Sequence, residues 1–237
     1  MQIIPAIDIR NGKCVRLFQG DYNQETIYDS NPIKMAKKWK EQGAKILHIV
    51  DLDGARYGKP MIIDLVKELN KQIKLPIQVG GGIRDLVSIY RYIDTGVMRI
   101  ILGTTALEDR TLFKKAINKY REKIAVSLDI KSKTLMKRGW LEKSNYQLFP
   151  VIKQLESLGL KTLIFTDIVR DGTLTEPNYK YIELIKEKTK MKLIVTGGIS
   201  SINQIKQLKK MKIDGIIIGK ALYEGKINLK EVIKYAG

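Results

Sequence analysis

Cysteine and histidine occur once each among 237 residues, as Cys14 and His48. A lone cysteine excludes an intrachain disulfide and fits a reducing cytoplasm, the expected location; Cys14 reads as a small hydrophobe in a strand. A lone histidine excludes a histidine-rich metal site, and no His/Cys/Glu cluster has ligand spacing, so no metal is expected. No apolar run approaches the roughly eighteen residues that suggest a membrane span, so no membrane association is expected. The opening MQIIPAIDIRNGK carries its charge after the apolar run, not before it, which argues against a secretory signal. Neither a GxGxxG fingerprint nor a P-loop occurs, so no cofactor is expected. Linkers and low-complexity segments are missing as well.

Acidic residues are outnumbered, 25 against 43 Lys and Arg, for a net charge of +18. The lysines of KKWKEQ, VKELNKQIK, LFKKAINKYREK and IKQLKKMK lie at helical spacing opposite apolar positions and read as solvated helix faces. No aromatics interleave with them, so nucleic acid is not an expected partner. The positive field favours capture of an anionic small molecule, which is an effect on rate only.

Eight apolar runs are present: 2–8, 46–50, 75–79, 99–102, 123–128, 161–166, 192–196 and 214–218. Amphipathic stretches with apolar residues three and four apart separate them. Continuous apolar strands alternating with helices imply a parallel sheet covered by helices. Eight units without a break predict an α/β fold: one (β/α)₈ barrel domain over 1–237, with half-repeats of about 1–120 and 121–237. An open doubly wound sheet is the rival, and it would leave the halves inequivalent. Asp85 and Ser200 are expected N-caps, and Gly43, Gly96 and Gly159 expected helix stops. Long connections of roughly 9–30, 130–145 and 167–178 leave the first, fifth and sixth strands and are candidate closing loops.

The halves repeat one spacing. Asp51, Gly81 and Gly103 recur 116 residues on as Asp167, Gly197 and Gly219, and Asp8 recurs 121 residues on as Asp129. Every marker sits at the carboxyl end of a predicted strand, on the face where such barrels place active sites. Four strands of eight is half a turn, so Asp8 and Asp129 are expected to face each other across the mouth. Two facing carboxylates in different surroundings can divide into base and acid. The glycine loops GGGIR and LGTT oppose TGGIS and IGKA. Glycines between strand and helix let backbone N–H groups approach an oxyanion, so two opposed phosphate sites and a bisphosphate substrate are expected.

Other candidates keep two readings. His48, Val50 and Thr166 are expected to share the barrel-facing side; His48 is a substrate donor or a satisfied core histidine, and Thr166 a contact or packing. Asp51 is a candidate substrate contact at its strand end. Trp140 stacks on a heterocycle or anchors its loop. Arg84 pairs with a phosphate or carboxamide, or is an ordinary surface arginine.

AIDIRNGKCVRLFQGD, VDLDGA, GGGIRD, SLDIK, RDGTL, TGGISS and IIIGKALYEGKI, in that order, resemble the phosphoribosylformimino-aminoimidazole carboxamide ribotide isomerases of histidine biosynthesis. The resemblance runs end to end and implies a cofactor-independent Amadori rearrangement of a bisphosphate aminoaldose. It implies Asp129 as general acid, protonating the ribose ring oxygen, and Asp8 as general base, taking the C2′ proton. It also implies substrate contacts at Thr166 and Asp171, and phosphate loops at Gly82, Gly103, Thr104, Gly197, Gly198 and Gly219. A monomer is expected. Glu176, where the family usually has glycine, and the basic KSKTLMKRGW loop depart from its pattern. The rival readings are the sister cyclase that works with a glutaminase, a bifunctional form also isomerising phosphoribosylanthranilate, and a noncatalytic nucleic-acid-binding barrel.

Overall fold

Residues 1–236 are described by a computed structural model. In chain order the strands are β1 (Gln2–Arg10), β2 (Lys13–Phe18), β3 (Asp21–Asp29), β4 (Leu47–Asp51), β5 (Ile77–Gly80) and β6 (Arg99–Leu102). The second half supplies β7 (Ile124–Lys131), β8 (Thr134–Lys137), β9 (Glu142–Lys143), β10 (Thr162–Asp167), β11 (Lys192–Thr196) and β12 (Gly215–Ile218). Eight of these run parallel in the ring β1-β4-β5-β6-β7-β10-β11-β12, closed where β12 pairs with β1 and β10 with β7. This is a (β/α)₈ barrel. The eight ring strands coincide with the eight apolar runs. Fully buried parallel strands carry apolar residues on both faces, so the run itself is the signal.

Two apolar layers result. Ile4, Ala6, Ile46, Ile101, Ala125, Ile164, Ile194 and Ile217 fill the barrel interior. The larger layer lies between barrel and helices; Ile63–Ile73, for example, buries Ile63, Val66, Leu69 and Ile73 along one stripe. No described helix is long and apolar enough to cross a membrane.

Asp85 caps its helix by accepting from the Ser88 N–H at 2.6 Å. The matching cap in the second half is Ser201, not Ser200: Ser201 and Gln204 form a reciprocal capping box, and the Ser200 hydroxyl donates instead to the Leu174 carbonyl. Gly43, Gly96 and Gly159 each follow a helix with φ between 85° and 96°.

Two of the three long connections contain strands of their own. β2 folds back antiparallel on β1 and carries β3, while β8 folds back on β7 and pairs with β9. These hairpins extend barrel strands above the mouth. The third, after β10, is a series of turns.

Candidate active site

Asp8 and Asp129 stand at the carboxyl ends of β1 and β7, four positions apart in a ring of eight, and both line one cavity in the mouth. The two chain segments that fold over that mouth decide how each carboxylate is held.

The β1–β2 hairpin turns Arg16 back over Asp8. Arg16 Nη1 donates to Asp8 Oδ2 at 2.7 Å, and Nη2 lies 3.4 and 3.5 Å from the carboxylate oxygens of Asp171. All three side chains are buried. Burial pushes the Asp8 carboxyl up to about 6; the Arg16 guanidinium opposes this, and Asp171 adds to it. Burial also raises Asp171, again against Arg16. Arg16 itself is held charged by the two carboxylates despite its burial. Its Nε is buried without a partner among the described residues.

Asp129 is oriented by different donors. Ser127, two residues earlier on the same face of β7, donates from Oγ to Asp129 Oδ1 at 2.6 Å. Trp140 Nε1 donates to Oδ2 at 2.8 Å. Trp140 has φ +67° and lays its indole against Gly20 in the turn after β2, where a Cβ would strike the ring. The hairpins after β1 and β7 thus meet over the cavity, with the Gly139 Cβ position 3.1 Å from the Tyr22 hydroxyl. Of the two readings of Trp140, the indole here both lines the cavity and anchors its loop.

His48, Val50 and Thr166 line the same cavity, and Thr166 is paired in register with Asp129. His48 Nδ1 lies 2.9 Å from Gln78 Nε2. Burial, with help from Arg16 and Arg99, pushes His48 down to about 3, so its ring is neutral. Arg84 lines the cavity half-buried, packed against Gly58.

The glycine loops fall on opposite sides of the ring, since β5 opposes β11 and β6 opposes β12. Gly82, Gly103 and Thr104 line the main cavity. Gly197, Gly198 and Gly219 line a smaller adjoining one with Arg16, Asp171 and Lys220. Gly103 (φ −108°, ψ −92°) and Gly219 (φ −112°, ψ −101°) share one backbone conformation, each just before a short helix. The Thr104 hydroxyl accepts from the Arg138 N–H at 2.8 Å.

Asp51 is a correction. It is fully buried and outside the lining: its carboxylate accepts from the Gly54 N–H at 2.7 Å and the Met61 N–H at 2.6 Å, capping Leu52–Tyr57. With each oxygen turned to a main-chain N–H of its own loop and no exposed surface, this carboxylate faces away from the cavity. Glu176, at the position where the resembled family usually has glycine, accepts from Arg170 through its backbone carbonyl at 2.7 Å, and that carbonyl stands over Gly198. In the basic loop, Lys137 and Arg138 pair with Glu108 and Glu142.

Sequence reasoning did not single out Arg16, Ser127 or Gln78. For Arg16 a signal existed: Asn11-Gly12, with φ of 49° and 73°, is a two-residue hairpin turn. Reading it would have folded Arg16 back onto Asp8.

Residues 2–228 match the family model described as histidine biosynthesis protein. The 1-(5-phosphoribosyl)-5-((5-phosphoribosylamino)methylideneamino)imidazole-4-carboxamide isomerase of Oceanobacillus iheyensis is 49% identical over 234 residues, covering 99% of this chain and 98% of that protein. Proteins of the same name from Bacillus cereus and Bacillus mycoides are 44% and 42% identical, each over 99% of this chain and 98% of their own length. With its barrel intact and the match spanning nearly every residue, the chain belongs to the histidine biosynthesis protein family.

Proposed function

We propose that this chain is the aldose–ketose isomerase of histidine biosynthesis that its relatives are named for, working on a small-molecule bisphosphate by aspartate acid/base catalysis. The observation that carries the reading is the pair Asp8 and Asp129, on opposite strands of one cavity and differently held. Asp8 is the base. A carboxylate titrating at about 6 is a stronger base than an ordinary aspartate yet ionised at neutral pH, which suits it to take the C2′ proton. Asp129 is the acid, its carboxyl group aimed by Ser127 and Trp140 so that it protonates the ribose ring oxygen and opens the ring to a Schiff base. Loss of the C2′ proton then gives an enolamine, which tautomerises to the ketone.

The glycine loops at Gly82, Gly103 and Thr104, and at Gly197, Gly198 and Gly219, hold the two phosphates, which fixes the reacting carbons between the carboxylates. Thr166 and Asp171 contact substrate near Asp129 and Asp8, and Arg84 reaches the ligand from the edge of the cavity. The lone buried Cys14 supports a cytoplasmic setting. The relatives' names favour the isomerase over the sister cyclase. A spectroscopic isomerase assay on the purified chain tests the reading; turnover of phosphoribosylanthranilate in the same assay distinguishes the bifunctional form. No turnover of either substrate overturns it.

A further inference from the structure

Three polar side chains form a row across adjacent strands on the inner side of the barrel. His48 on β4 pairs in register with Gln78 on β5, and Gln78 with Arg99 at the start of β6. Registered residues of parallel strands point to the same side, so the strand pairing itself lines the three up. Arg99 Nη1 donates to Gln78 Oε1 at 3.0 Å, and Gln78 Nε2 lies 2.9 Å from His48 Nδ1. Gln78 is fully buried, and among the described residues no carboxylate bonds to the row.

The direction of each bond is forced. A guanidinium can only donate, so the oxygen of the Gln78 amide must face Arg99 and its NH₂ must face His48. The amide then donates to His48 Nδ1, which must be unprotonated. Since the ring is neutral, its proton sits on Nε2. Nε2 has no protein partner among the described residues, and the ring lines the cavity between the strands of Asp8 and the first glycine loop.

We propose that Arg99 and Gln78 are positioning residues that lock His48 as its Nε2–H tautomer, making it a neutral hydrogen-bond donor to an acceptor oxygen of the ligand in the cavity. The lock supplies a donor of fixed polarity without adding a charge beside Arg16. Without it, the neutral imidazole would divide between a donor and an acceptor facing the ligand. The tautomer follows from the row alone; its effect on turnover rests on the isomerase reading.

The chain's one histidine makes the test direct. In the unliganded protein labelled with ¹⁵N-histidine, two-bond nitrogen–proton spectra report which ring nitrogen carries the proton. Nε2–H is expected in the parent, and Nδ1–H or a charged ring overturns the proposal. Gln78→Glu replaces the amide donor by an acceptor that Arg99 still neutralises, so the proton should move to Nδ1. Arg99→Met frees the amide to turn and should give a mixture of tautomers, and it serves where the glutamate variant does not fold. A parent-like spectrum in a folded variant overturns the relay. In the isomerase assay Gln78→Glu should weaken kcat/KM by about tenfold, the scale of one lost hydrogen bond. Restored kcat/KM in Gln78→Asn, with its tautomer restored, supports the lock. Unchanged kcat/KM with a reversed tautomer overturns the donor role while leaving the isomerase reading intact. An inactive parent with the Nε2–H spectrum overturns the isomerase reading and leaves the tautomer standing.

Discussion

The main-chain oxygen of Asp51 occupies the place a Cβ on Gly81 would need, and in the other half Asp167 O lies 2.8 Å from the Cβ position of Gly197. Both glycines have positive φ, 115° and 96°. The thirty-residue spacing between aspartate and glycine therefore records a packing requirement: one strand end ties its own loop through its carboxylate, and the next strand leaves by passing over its carbonyl. Asp167 ties its loop by accepting from the Val169 N–H at 3.2 Å and from Asn178 Nδ2 at 2.6 Å.

Gly81→Ala and Gly197→Ala should each lower stability by about 2 kcal/mol or more, since both the backbone conformation and the space forbid a methyl group. Chemical denaturation measures this. Gly81→Ala should cost more, because its carbonyl neighbour is closer.

Activity should depend on pH through Asp8. A base must be ionised, and its folded pKa is raised from 3.8 to about 6, so kcat/KM should fall as pH drops through about 6 rather than near 4. In a pH–rate profile, an acid limb at the ordinary aspartate value would show that Asp8 is not the base.

Arg16 holds that limb down. Arg16→Met removes the one positive charge lowering Asp8, so the acid limb should move upward. The variant should also lose about 3 kcal/mol of stability, since two buried carboxylates lose their shared partner. Calorimetry together with the same profile tests both effects.

Trp140→Phe keeps an aromatic ring against Gly20 but removes the donor to Asp129. We expect kcat to fall about tenfold with little change in melting temperature, the scale of one misoriented hydrogen bond at a reacting group. Steady-state kinetics beside a melting curve separates this from loss of the loop.

The ring was legible because buried parallel strands leave unmistakable apolar runs, and the repeat spacing set which strands oppose. Polar pairing over the mouth was not. Arg16 becomes a partner of Asp8 only once the Asn11-Gly12 turn folds β2 back, and that short signal lies inside what composition reads as a loop. The second hairpin has no such mark: its turn is Ser132-Lys133, at φ 48° and 74°, where neither residue is a glycine. Asp51 misled for a related reason. Ending a strand places a carboxylate at the rim, but whether it faces the cavity or its own loop depends on N–H groups up to ten residues away.

The central claim is that Asp8 and Asp129 together move the protons, and it is tested most directly by single-turnover kinetics of Asp8→Asn and Asp129→Asn on the bisphosphate substrate. Each should lose about 10²–10⁴-fold or more in rate while binding substrate with near-parent affinity and melting as a folded barrel. Turnover near the parent rate in either variant would contradict the account.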